Sequence, residues 1–155
     1  MATLALVTLA QSSDAREIAE MSRDMIEGGL TWAWTPARVM QFIASKDSSA
    51  VVLRRGGQIA AFAMMHFGDE TAHLNLLAVA PEYRRQGLGR QLVDWLCASA
   101  LEAGVLHINL ELRANNTGAQ VFYAALGFER VSVKQGYYQG RESALRMSRR
   151  LGRLT

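Results

Sequence analysis

A chain of 155 residues, half of them hydrophobic and a fifth charged, carries enough apolar material for one substantial core and falls outside the disordered, collagen-like and disulfide-rich classes. Its formal charge of +3 mildly favours an anionic ligand and gives no reason to expect DNA. Positive charge is almost all arginine, with Lys46 and Lys134 the only lysines, a bias that the codon usage of a GC-rich genome explains.

In chain order, "TLALVTLA" predicts a first strand. Ser12-Ser13-Asp14 then reads as a cap signal for a helix from Ala15 to about Glu27, with Ile18, Met21 and Met25 on one face and Gly28-Gly29 ending it. The segment "TWAWTP" is a loop, and Pro36 suits the first turn of a second helix with Val39, Met40 and Ile43 behind it. "SAVVLRR", the turn Gly56-Gly57 and "QIAAFAMMHF" predict a hairpin, and "TAHLNLLAVA" a further strand before Pro81. A long helix reaches about Ala103, spaced to bury Leu88, Leu92, Trp95, Leu96 and Ser99.

In "VLHINLELR", Ile108, Leu110 and Leu112 alternate with His107, Asn109 and Glu111, as a strand requires. The helix of "NTGAQVFYAALGF" aligns Ala119, Phe122, Tyr123 and Leu126, with Gly127 placed for a left-handed cap. Strands "FERVSVKQ" and "SALRMSRR" flank a loop "GYYQGRE". The order is β-α-α-β-β-β-α-β-α-β-β, a mixed α/β sheet with helices on its faces, expected as one domain over residues 1–155.

Cys97, the single cysteine, lies on the apolar side of its helix and suits a reducing compartment. The N-terminal apolar run lacks a basic leader and ends too soon for a secretory signal, and no run approaches the ~20 apolar residues of a membrane span. A cytoplasmic location without membrane contact is expected. No His/Cys/Asp/Glu cluster has metal-ligand spacing, so no metal is expected.

One stretch resists a purely structural reading. "RRQGLGR", residues Arg84 to Arg90, joins a strand to a helix with no Ser, Thr, Asp or Asn to cap it. A helix start leaves four backbone N–H groups without partners. An anion can take the place of the missing side-chain oxygen, drawn by those groups and by the helix dipole, with glycine allowing close approach. The third glycine of a dinucleotide fold and the Gly-Lys-Ser/Thr of a triphosphatase loop are both absent.

What remains, Arg-x-x-Gly-x-Gly opening a helix after "LLAVAPEYR", resembles the pyrophosphate loop of the GNAT superfamily of acyl-CoA-dependent N-acyltransferases, patterned Gln/Arg-x-x-Gly-x-Gly/Ala. The resemblance runs along essentially the whole chain. "LELRANNTGAQVFYAALGFERV" followed by "GYYQGRESALRM" is most similar to the bacterial enzymes that acetylate the N-terminal alanine of a ribosomal protein. The resemblance implies acetyl-CoA as cosubstrate, with the backbone of Leu77, Ala78 and Val79 along the pantetheine arm. It places Arg84 at the start of the pyrophosphate pattern, with Arg85, Gln86, Gly87, Leu88, Gly89 and Arg90 in the loop, and matches Asn116 to an asparagine that contacts the cofactor. Glu111 matches the family's general base and Tyr123 its proton donor to sulfur.

Those two roles are chemically coherent. An amine attacks a thioester only when neutral, so one group must accept a proton while the departing sulfur gains one. The apolar neighbours of Glu111 predict a raised carboxyl pKa, and a tyrosine, ordinarily near 10, stays protonated. Attack is expected to be direct, Cys97 being on the wrong helix for a nucleophile. Without the family match Glu111 reads as a solvated strand residue and Tyr123 as a core aromatic. His73, Asn75, His107 and Asn109 are alternative water-relay residues.

Trp32, Trp34, Tyr137, Tyr138 and Arg141, from two predicted loops, either cap the core edge or surround an acceptor pocket. Arg146, Arg149, Arg150 and Arg153 read as a solvated strand end and tail. The acceptor expected first is a protein or peptide N-terminus. A small-molecule amine comes next, and a CoA-binding regulatory module without turnover is the reading from another class. The chain is expected as a monomer or homodimer.

Overall fold

The computed structural model describes residues 6–152. Apolar alternation and glycine turns lay down seven strands among these residues: β1 (Thr8–Leu9), β2 (Ser48–Arg55), β3 (Gln58–Phe67), β4 (Thr71–Val79), β5 (His107–Arg113), β6 (Glu129–Tyr138) and β7 (Glu142–Arg150). They form one sheet in the order β1-β2-β3-β4-β5-β7-β6. Four helices flank it: α1 (Ala15–Met25), α2 (Pro36–Ala44), α3 (Leu88–Glu102) and α4 (Thr117–Ala125). Element order and fold class agree with the sequence reading. The β2–β3 turn is made by Gly56 and Gly57, both at positive φ (57° and 82°), the backbone a two-residue hairpin with right-handed strand twist demands.

The sheet separates two cores. On one face Leu88, Leu92 and Leu96 of α3 pack against Leu53, Met65 and Leu110. On the other Ile18 of α1 and Val39 of α2 cover Val52, Phe62 and Met64. Full burial of side chains of this size contributes roughly 1.5–3 kcal/mol each.

Several boundaries differ from the sequence reading. The first strand is only Thr8–Leu9, and the beginning of "TLALVTLA" lies outside the described residues. Ser12–Asp14 form a 3-10 turn, and Asp14 does not cap α1 with its side chain. Its carboxylate instead accepts from the Gln11 N–H and from Arg54, each at 2.8 Å. Met40 is exposed, because the nine-residue α2 docks mainly through Val39. The buried face of α3 is rotated toward Val93, Cys97 and Ala100, leaving Trp95 and Ser99 half-buried. Tyr137 and Tyr138 belong to β6, since that strand continues past Gly136 to an irregular end and the turn comes only after Tyr138.

Gly89 has a packing role. A Cβ there would lie 3.0 Å from Phe122 Cζ, so α3 and α4 meet closely only because it is absent. Gly89→Val is expected to destabilise by about 1–3 kcal/mol through overpacking, read as a lower denaturant midpoint at unchanged slope.

Candidate active site

Strands β4 and β5 pair in parallel for four residues only, from Thr71 with His107 to Leu74 with Leu110. Beyond that point β4 stays with β3 and β5 with β7, so the sheet opens. The β3–β4 register slips between Leu74 and Leu76, which leaves Asn75 as a bulge residue that bends β4 where the gap begins. Ala80 donates to Ala60 on β3. By strand alternation the backbone groups of Leu77 and Val79 face the gap, and those of Ala78 face β3.

Two cavities meet at this opening. One, of about 410 Å³, reaches toward α4 and is lined by Leu74–Leu77, Leu110–Arg113, Asn116, Ala119 and Tyr123, among others. The second, of about 350 Å³, reaches toward the α1–α2 loop and is lined by Glu27, Leu30, Trp34, Arg38, His73, Tyr137 and Gln139. Ile26, Asn75, Leu76, Glu111 and Tyr138 line both. The Asn75 side-chain oxygen is buried here without a hydrogen-bond partner.

Glu111 is the charged group at the junction, its side chain only 5% exposed. One carboxylate oxygen accepts from Arg146 Nε at 3.0 Å and Nη2 at 2.7 Å, and the other is bonded to His73 Nε2. Burial pushes the carboxyl's pKa up, but the hydrogen bonds and charges of His73 and Arg146 outweigh it and hold it below its ordinary value. The expected rise is therefore reversed. Arg146 sits opposite Glu111 in the β5–β7 register and is an ion-pair partner, not part of a solvated tail. Arg149 likewise turns inward, donating to Cys97 Sγ at 3.5 Å; Arg150 is exposed, and Arg153 lies outside the described residues.

Tyr123 is buried between Phe122 and Phe128, with ring centroids at 5.0 and 5.5 Å, and its ring borders the α4-side cavity. Burial, reinforced by Tyr138, pushes its phenol well above the ordinary tyrosine value. Burial also raises Tyr138, with further contributions from Tyr137 and Glu111.

The wall of the second cavity is pinned by contacts far apart in sequence. Gln139, itself at positive φ (57°), accepts from the Thr31 N–H at 2.9 Å and donates to the Thr31 carbonyl at 2.8 Å. Arg113 Nη2 donates to the Gly28 carbonyl at 2.6 Å. Buried Glu27 accepts from the Ala33 and Trp34 N–H groups at 2.7 and 3.2 Å and from Ser22 Oγ at 2.8 Å. Sequence reasoning missed Glu27, Arg113 and Gln139; the one local signal was a carboxylate directly before Gly28-Gly29.

Of the aromatic group, Trp34, Tyr137 and Tyr138 come together at the second cavity, Trp34 with the Arg38 guanidinium 3.8 Å over its ring. Trp32 and Arg141 line neither cavity. Trp32 packs on α1, donating to the Ala19 carbonyl, and Arg141 is exposed in the β6–β7 turn. His107 and Asn109 also stay outside both cavities, four and two residues before Glu111 on β5.

From Val79 the chain runs into the glycine loop. Gly87 precedes α3 at φ 78° with no side-chain cap, and Arg85 is left-handed too (φ 63°). Such alternation turns successive N–H groups toward one point, an anion-binding concavity. Arg84 Nε donates to the Val79 carbonyl at 3.2 Å, fastening the loop to the gap edge of β4. Asn116 caps α4, its side-chain oxygen accepting from the Ala119 N–H at 3.0 Å, while it lines the first cavity. An open strand edge leading to an uncapped helix start fits a long ligand that carries amides at one end and phosphate at the other.

The chain belongs to the acetyltransferase (GNAT) family, whose model matches residues 16–128, and is an acetyl-CoA-dependent N-acetyltransferase. Among its relatives, the ribosomal protein bS18-alanine N-acetyltransferase of Escherichia coli strain K12 is 39% identical over 99 residues, covering 62% of this chain and 67% of that enzyme. The N-alpha-acetyltransferase RimI of Mycobacterium tuberculosis is 30% identical over 131 residues, covering 82% of this chain and 80% of that one. The crystal structure of the Escherichia coli ribosomal-protein-S18-alanine N-acetyltransferase superposes with a TM-score of 0.83 at 26% identity, over 98% of this chain and 97% of that chain. The family model also spans the segment "GGLTWAWTPARV", for which the residues taken by themselves suggest no counterpart.

Among the described residues no helix is long and apolar enough to cross a membrane.

Proposed function

We propose that this chain acetylates the α-amine of a protein or peptide N-terminus in the cytoplasm, with the two substrates entering from opposite sides of the β4–β5 gap. The observation that carries the reading is that the two cavities share Glu111, Asn75 and Tyr138. That arrangement lets a thioester and an amine meet without a covalent enzyme intermediate. The relatives named for N-terminal acetylation support the acceptor class.

Acetyl-CoA supplies the acetyl group as a thioester. Leu77 and Val79 offer backbone hydrogen bonds to its pantetheine arm, and the Arg84–Arg90 loop offers N–H groups and positive charge to its pyrophosphate. Asn116, with its amide nitrogen still available, contacts it from α4. Tyr123, kept protonated by burial, hands a proton to the departing sulfur. Glu111 brings negative charge to the place where the amine arrives, and Trp34, Tyr137 and Tyr138 enclose the residue that carries it. Trp32 and Arg141 hold no substrate in this scheme. Cys97 takes no part, being packed in the α3 core with its thiol pKa raised by burial.

The test is mass spectrometry of products formed with acetyl-CoA over N-terminal peptides, lysine peptides and small amines. Acetylation confined to peptide α-amines is expected; modification of lysine side chains or small amines alone overturns the acceptor assignment. Tight CoA binding without turnover on the whole panel returns the chain to a binding module.

A further inference from the structure

Both oxygens of Glu111 are already engaged, one by Arg146 and the other by His73. A carboxylate so committed is a poor acceptor for the proton of an incoming amine: one oxygen holds two guanidinium N–H groups, and the other has to give up its hydrogen bond to His73. His73 is placed differently. It projects from β4 just before the bulge, lines the acceptor cavity and not the α4-side one, and keeps 37% of its side chain exposed. Its Nε2 faces Glu111, which leaves Nδ1 as the nitrogen not used by the carboxylate. An imidazole held at one nitrogen by a carboxylate is fixed in one tautomer, with its other nitrogen presenting a lone pair.

We infer that His73 is the catalytic base, with Glu111 and Arg146 as positioning residues behind it. Glu111 accepts the Nε2–H of His73 and so sets the tautomer; Arg146 holds Glu111 ionised and fixes its plane. In the transfer step the amine nitrogen bonds to the thioester carbonyl carbon as the carbon–sulfur bond breaks. The amine's proton passes to His73 Nδ1 and the Tyr123 proton passes to sulfur. His73 then releases its proton to solvent and Tyr123 recovers one from it, so that amine and thioester become amide and thiol with no net change in protons. The inference deepens the acceptor reading and rests on an amine arriving through the second cavity.

Two measurements on the full chain test it. His73→Gln is expected to lower kcat about a hundredfold, the lower end of what a positioned base supplies, with acetyl-CoA affinity by calorimetry within twofold of wild type. In His73→Gly, added imidazole is expected to restore at least tenfold of the lost rate of peptide acetylation. Independently of turnover, nitrogen-15 NMR of the wild type is expected to show His73 as the Nε2–H tautomer, with Glu111→Gln shifting it toward Nδ1–H. A His73→Gln rate within threefold of wild type, absence of imidazole rescue, or an Nδ1–H tautomer in the wild type each overturns the assignment. Should the wild type acetylate small amines and no peptide, the acceptor reading fails by itself, and the same variants assayed on that amine still decide the role of His73.

Discussion

Tyr123→Phe is expected to lower kcat by about a hundredfold or more while leaving the fold intact. The ring contacts with Phe122 and Phe128 survive the change, so the loss isolates the hydroxyl. Without it the thiol must leave as an unprotonated anion inside a largely buried cavity, where an unpaired charge is expensive. Steady-state kinetics alongside thermal unfolding separate the two effects: a fall in kcat at unchanged Tm supports the donor role, and a rate within threefold of wild type overturns it. Burial raises the phenol, so its proton is retained as pH climbs through the ordinary tyrosine range. No alkaline loss of activity from its ionisation is therefore expected below about pH 10. An inflection there that disappears in Tyr123→Phe contradicts that sign.

Glu27→Ala is expected to produce the largest loss of stability, about 2–4 kcal/mol. Its buried carboxylate gathers the Ser22 hydroxyl and two backbone N–H groups, and each partner left without an acceptor costs about 1–3 kcal/mol, less what water recovers where the loop is open. The backbone from Ala33 to Trp34 then loses its anchor, and Trp34 lines the second cavity, where the proposed function places the amine. The kinetic signature is a raised KM for the amine with the KM for acetyl-CoA unchanged. Denaturant unfolding checks the stability. Glu27→Gln, which keeps one accepting oxygen, should fall between the two. Equal increases in both KM values count against a role confined to the acceptor wall.

Much of the architecture is legible in the chain because it is written in local periodicity. The alternation from His107 to Arg113 appears unchanged in the burial of β5, and Gly56-Gly57 and Gly127 stand at the positive-φ positions their sequence context suggests. The uncapped start of α3 is equally visible. What escapes is information held between distant segments. The apolar neighbours of Glu111 on its own strand suggest a raised carboxyl, yet its titration is governed by His73, 38 residues earlier, and Arg146, 35 residues later. Gly136 and Gly140 make Tyr137 and Tyr138 look like loop residues, whereas cross-strand pairing with β7 carries β6 to Tyr138. The second loop glycine, Gly89, suggests room for phosphate, but Phe122 occupies the side its Cβ would need.

The bond pair between Gln139 and Thr31, 108 residues apart in the chain, joins two peripheral segments while placing the sequence requirement on one of them alone, since Thr31 contributes only main-chain atoms. A chimaera that borrows only the "GGLTWAW" segment from a relative still offers Gln139 a backbone N–H and carbonyl, whereas one that borrows only the β6–β7 turn loses the side chain that holds them.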